Sequence, residues 1–255
     1  ELSMYDLAGS SVMHSTGGWA LLAAILIIGA RRGRYTPEGG IRVIPASNIP
    51  LVTLGAFLLW IGWFGFNGGS VGSIASKENA DLVALTIMNT NTAGLSGAII
   101  VAIIMQIMYK KLDLTMILNG ALGGLVAITA GPDLYDIYTP ILIGAIGGVL
   151  VVIGVSMFDK LRIDDPVGAL SVHLVNGIWG TIAVGIFASN GDDITLLGQL
   201  KGILLIAIFV FVSSYIVLFI INKIIPLRAG NDEEMQGLDV DECGIEAYPE
   251  FKRAF

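Results

Sequence analysis

The sequence contains two histidines, His14 and His173, and they lie in segments that resemble each other. Residues 6–18 read DLAGSSVMHSTGG and residues 165–177 read DPVGALSVHLVNG, so both fit the pattern D-x-x-G-x-x-x-x-H-x-x-x-G. A neutral imidazole offers one hydrogen-bond donor and one acceptor, and its ordinary pKa of about 6.5 lets it pass a proton. In a water-soluble core, such residues read plainly as packed histidines bonded to neighbouring helices. Inside a membrane an ionisable side chain is costly and marks a pathway. Two histidines with no third nitrogen, carboxylate or thiolate at the same depth make a poor metal site, so no metal is expected. A nucleophile–base pair, a phosphate loop and a cofactor fingerprint are all lacking, so neither catalytic residues nor a cofactor is expected.

Two further sets of residues frame the histidines. Asp6 and Asp165 each stand eight positions before a histidine. There a carboxylate can cap the free N–H groups that open a helix, or attract a cation into a vestibule. Residues 60–70 read WIGWFGFNGGS. Their rings could hold a cation by contacts worth roughly 0.5–2 kcal/mol, or form an interfacial aromatic belt.

The elements that carry these residues must be membrane helices. Of the 255 residues 55% are hydrophobic and 14% charged, with a mean hydropathy of +0.79. Soluble domains carry roughly 25% charged residues and cannot hide so much apolar surface. The 33 glycines suit helices that approach closely. Seven apolar segments, near the ~20 residues needed to cross a bilayer, run over 5–30, 48–69, 82–109, 115–131, 138–158, 166–188 and 198–225. The fourth is short and glycine-rich, which suggests a buried span. No signal sequence is expected before the first segment. Residues 1–227 read as one membrane domain and 228–255 as a polar tail.

Direction follows from charge. If the loops after spans one, three and five share a side with the tail, that side holds Arg31, Arg32, Arg34, Arg42, Lys110, Lys111, Lys160, Arg162, Lys223, Arg228, Lys252 and Arg253. The other side keeps only Lys77 and Lys201, beside Glu78, Asp81, Asp133, Asp136, Asp192 and Asp193. The positive-inside rule then puts residue 1 outside and residue 255 in the cytoplasm. The two histidine segments therefore run in opposite directions, the signature of an inverted repeat with its site near the midplane. Eight residues at 1.5 Å each put each histidine about 12 Å beyond its aspartate. From opposite faces of a ~30 Å core, the rings come within roughly 6 Å in depth. They could touch across the pseudo-twofold axis.

A pair placed there suits a small weak acid. Moving a bare cation into hydrocarbon costs tens of kcal/mol unless its water is replaced. An ion such as ammonium could shed its proton at the mouth and cross as the neutral base while the proton returns through the rings. Nucleic-acid binding lacks a basic patch.

Six stretches carry a family resemblance: DLAGSSVMH (6–14), LLWIGWFGFNGGS (58–70), NTAGLSG (91–97), NGALGGLVAITA (119–130), DDPVGALSVHLVNGIWG (164–180) and GLDVDECGIEAY (237–248). In this order the sequence resembles the Amt/Mep/Rh ammonium transporter family. The resemblance implies an all-α membrane protein, its seven helices matching helices five to eleven of an eleven-helix protomer with an inverted repeat. It also implies a homotrimer and a multi-pass location in the cell membrane. By position, His14 and His173 match the twin pore histidines, Phe66 a gate phenylalanine, Ser70 a hydroxyl of the outer recruitment site, and Asp6 the aspartate beneath it. Trp63 and Asn67 fall in the same motif and receive no direct role. The tail matches a cytoplasmic segment that PII-type regulatory proteins can engage. Gly168 stands where many members carry Asp, and Cys243 where the tail motif usually has His. The expected substrate is ammonium or ammonia, with the lipid bilayer as solvent. About four N-terminal helices of the family have no counterpart, which opens one wall of the pore. Ammonium sensing through the tail, and a non-transporting fragment, are the alternatives.

Overall fold

The computed structural model describes residues 2–188 and 193–249. Asp192, Lys252 and Arg253 of the charge count lie outside the described residues. The helices are α1 (Thr16–Ile28), α2 (Ile49–Ser70), α3 (Lys77–Tyr109), α4 (Leu114–Ile128), α5 (Thr139–Lys160), α6 (Asn176–Phe187), α7 (Leu196–Ile224), α8 (Asn231–Gln236) and α9 (Leu238–Asp241). A π-helical segment leads into α1 at Ser10–Ser15, and another into α6 at Leu170–Val175. With these leads, six helices among the described residues are long and apolar enough to cross a membrane, and α4 is a shorter apolar seventh.

Polar caps set many of the starts. Asn48, Ser76, Asp113 and Thr195 each accept a hydrogen bond from a backbone N–H in the first turn of α2, α3, α4 and α7, satisfying donors that hydrocarbon cannot. The first and sixth spans begin later than their hydropathy suggests. Gly9 and Gly168 take φ of +100° and +79° just before the helical backbone starts, and the apolar residues ahead of them form an entry turn instead.

The 15 residues of α4 give a length of roughly 22 Å, short for a lipid-facing span. It survives because it is wrapped by protein: Leu118, Gly120, Ala121 and every residue from 123 to 128 are buried. Its approach to α3 and α5 is at backbone distance. A Cβ on Gly97 would lie 2.2 Å from the Gly120 carbonyl oxygen, one on Gly124 2.2 Å from that of Ala93, and one on Gly147 of α5 3.1 Å from that of Gly123. Dispersion between closely apposed backbones holds such helices where no hydrophobic drive operates. The carbonyls at the end of α4 are taken up by the chain leading into the first histidine segment. Leu7 N–H donates to Ala130 O (2.7 Å), Ala8 N–H to Thr129 O (3.2 Å) and the Ser10 hydroxyl to Val126 O (2.7 Å). By contrast, α2 and α7 expose apolar side chains such as Leu58, Ile61, Phe209 and Ile216, a surface suited to an apolar solvent.

An ionic cluster ties the loop after α1 to the start of the second histidine segment. Arg31 donates to Asp164 from Nε, Nη2 and its backbone N–H, each at 2.8 Å. Arg34 adds a second cation at 3.5 Å and also pairs with Asp159. Burial alone would push the Asp164 carboxyl up, but the Arg31 hydrogen bonds and the charges of Arg31 and Arg34 hold it below its ordinary range. A depressed carboxyl stabilises the fold above its unfolded value, near 3.9, and that contribution disappears as pH falls through the folded value. Thermal stability from this cluster should therefore be flat from pH 5 to 8 and drop below about pH 4. Arg31→Ala leaves a buried carboxylate short of its main partner and should cost on the order of 3 kcal/mol, read as a lower unfolding midpoint at pH 7.

Candidate functional site

Each letter of the repeated pattern has a structural job. Asp6 accepts from the backbone N–H groups of Ser10 (2.7 Å), Ser11 (2.9 Å) and Val12 (2.9 Å). Asp165 accepts from Ala169 (2.9 Å) and Leu170 (2.7 Å). Both aspartates thus cap their segments, and the hydrogen bonds recorded for Asp6 all go to its own helix start. The first glycine of each pattern makes the positive-φ turn. The second makes the crossing. A Cβ on Gly18 would lie 2.7 Å from Leu174 Cα, and one on Gly177 would lie 2.4 Å from Ser10 O and 2.8 Å from Ser15 N. Leu174 and Ser15 each directly follow a histidine, so each repeat's glycine meets the other repeat's histidine turn. That reciprocity is the pseudo-twofold relation in atoms.

The crossing presses the two imidazoles together. His14 Nδ1 and His173 Nδ1 are 3.2 Å apart, with ring centroids 5.2 Å apart and planes 21° from parallel. Trp63 stacks on His14 at 4.8 Å and 18°. Its indole is buried and donates from Nε1 to Thr129 Oγ1 at 2.9 Å. Phe66, one turn further along α2, stands 5.6 Å from His14 at a tilt of 49° and meets Trp63 edge-on. His14 Nε2 is buried with no hydrogen-bond partner among the described residues. In a neutral pair bonded Nδ1 to Nδ1, one ring donates and the other accepts. The first then presents an Nε2 acceptor and the second an Nε2–H donor.

Ser70 stands apart from this group. It is exposed at the end of α2 and donates to Phe66 O at 2.8 Å. Asn67 is buried and donates to Thr90 Oγ1 at 2.9 Å, bracing α2 against α3. Trp63 is the residue of the motif to which sequence reasoning assigned no role and which the fold stacks on a histidine. The available signal was the three-residue step from Trp63 to Phe66, which puts both on one helix face. Trp63→Phe should keep a ring over His14 and lose only the Thr129 bond, about 1 kcal/mol. Trp63→Ala should cost about 3–5 kcal/mol; melting curves of the two variants distinguish these outcomes.

The ammonium transporter family's sequence profile matches residues 1–248. The chain belongs to the ammonium transporter family. Its similarity to ammonium transporter Amt2 of Archaeoglobus fulgidus is 37% identity over 263 residues, covering 96% of this chain and 55% of that protein. To the ammonium transporter of Bacillus subtilis it is 33% identical over 262 residues, 97% of this chain and 62% of the relative. Among solved structures, the Sensor Amt Protein superposes with a TM-score of 0.88 at 36% identity, over 94% of this chain and 60% of that one. Candida albicans Mep2 superposes at 0.80 with 28% identity, over 96% and 57%. The chain spans a little over half the length of these relatives. Its helices, six of them among the described residues long enough to cross a membrane and α4 a shorter apolar one, share the fold of these transporters.

Proposed function

We propose that this chain carries ammonium across a cell membrane along a path lined by His14, His173, Trp63 and Phe66. The observation that supports it most is the 3.2 Å contact between the two Nδ1 atoms in a multi-pass member of this family. The names of the sequence relatives favour transport over the sensing alternative.

The geometry supports a division of labour between base and proton. Ammonium loses its proton to an acceptor at the path's mouth, and ammonia, which needs no counter-charge, enters the apolar section. A proton bound at the free Nε2 of one imidazole lets that ring release its Nδ1–H to the other Nδ1. The second ring then gives up its own Nε2–H. One proton enters and one leaves, and the two rings exchange tautomers. Net movement is one ammonium ion, with no bare cation in hydrocarbon. Phe66 closes the apolar section, Ser70 offers a hydroxyl where the ion arrives, and Asp6 holds the first histidine turn in place. The chain's first residue lies outside and its tail in the cytoplasm. Three copies assemble, and residues 228–255 form the surface open to a PII-type regulator.

Proteoliposomes holding the protein test the reading. An inward ammonium gradient should produce a response in internal pH that protein-free vesicles and an equal potassium gradient do not. A response no greater than in protein-free vesicles would remove transport from the account.

A further inference from the structure

Both histidines sit in π-helical turns, and each turn is closed by the same device. Where the π segment ends, a side chain reaches back five residues to a carbonyl oxygen near its start. In the second repeat Asn176 donates from Nδ2 to Ser171 O at 3.0 Å. In the first, Thr16 Oγ1 donates to Ser11 O at 3.2 Å, joined by Ser15 Oγ at 3.0 Å. A π register closes its backbone bonds over five residues; in the first repeat Thr16 N–H makes such a bond to Ser11 O and the two hydroxyls reinforce it, while in the second the Asn176 side chain donates to Ser171 O.

In the second repeat Asn176 is the side chain that bonds Ser171 O among the described residues. Its side chain is fully buried between α4 and α5, in room that two glycines leave: a Cβ on Gly123 would lie 3.0 Å from Nδ2, and one on Gly147 2.9 Å from Oδ1. Oδ1 itself has no hydrogen-bond partner among the described residues. A buried amide whose carbonyl oxygen goes unused is a cost in stability, so its retention calls for another reason. The register supplies one. One residue more or less in a helix turns everything beyond it by about 100°. A return of residues 170–175 to the α register would swing the His173 ring away from His14 while the crossing at Gly177 stays fixed.

We infer that Asn176, and Thr16 with Ser15 in the first repeat, are positioning residues that hold the π register and so set the Nδ1-to-Nδ1 bond. This rests on the transport reading only where it speaks of flux. The test is nitrogen NMR on the protein labelled with 15N-histidine in lipid bilayers. The wild-type pair should show one protonated and one unprotonated Nδ1 correlated through the shared proton. Asn176→Ala should lose that correlation, and ammonium flux should fall on the order of tenfold or more. The double variant S15A/T16V should weaken it, and S15A/T16S, which restores one hydroxyl, should recover it. The inference is overturned if Asn176→Ala and S15A/T16V both keep the wild-type correlation. Should Asn176→Ala fail to fold, the S15A/T16V and S15A/T16S comparison decides alone. A wild-type correlation without any flux would defeat the transport reading and leave this inference standing.

Discussion

Replacing His14 and His173 together by alanine is expected to reduce ammonium flux by on the order of 100-fold, the scale of a lost proton-transfer partner. The two rings act as one unit, since each Nδ1 is the other's partner at 3.2 Å. Either single replacement should therefore cost nearly as much as both, because it leaves the surviving ring without the atom that receives or supplies its proton. A pair that merely packed would behave differently. Removing it would open a cavity beside Trp63 and lower the melting temperature, while flux persisted or rose. Measuring flux and unfolding midpoint on the same three variants separates the two cases. Strongly non-additive loss of flux is the outcome that supports a coupled relay, and unchanged flux in the double variant would take the pair out of the mechanism.

Gly177→Ala should be among the most damaging single-methyl changes in the protein. The added carbon would lie 2.4 Å from Ser10 O and 2.8 Å from Ser15 N, both backbone atoms that cannot rotate aside. Ser10 cannot retreat, because its hydroxyl is bonded to Val126 O and its N–H to Asp6. Overpacking a tight core costs typically 1–3 kcal/mol, and a clash with backbone on this scale belongs at or above the top of that range. Gly18→Ala, facing Leu174 Cα at 2.7 Å, should act in the same way from the other repeat. The expected result is loss of monodisperse protein or a sharply lower unfolding midpoint for both. Gly17→Ala, one position away with nothing within 4 Å of its Cβ, should be neutral. Equal stability of Gly177→Ala and Gly17→Ala would show that the helices do not cross as described.

Much of this site was legible in the residues because it is written in spacing. An aspartate, a glycine, a histidine and a second glycine recur at fixed intervals, and each interval corresponds to a cap, a turn, a ring and a crossing. The short glycine-rich segment at 115–131 announced a buried span, and α4 is wrapped by protein accordingly. What composition could not reveal is register. A π turn uses the same residue types as an α turn, so nothing in SSVMHS or LSVHLV marks it. Hydropathy starts the first span at residue 5 because it counts apolar residues and takes no account of the Asp6 cap or the Gly9 turn that delay the helix. Trp63 was hidden for another reason: stacking on His14 joins residues 49 positions apart on separate helices. The Arg31–Asp164 cluster was likewise invisible, since the charge count that places Arg31 at one membrane face does not pair it with a carboxylate 133 residues away.

The claim that base and proton travel separately and arrive together is tested most directly by recording current and internal pH at once. Proteoliposomes would be given an inward ammonium gradient at zero membrane potential. The account predicts a positive inward current that appears only with ammonium, scales with its gradient, and vanishes in the His14→Ala/His173→Ala variant. Internal alkalinisation with no accompanying current would contradict it, because the path would then pass neutral ammonia without a proton moving through the paired rings.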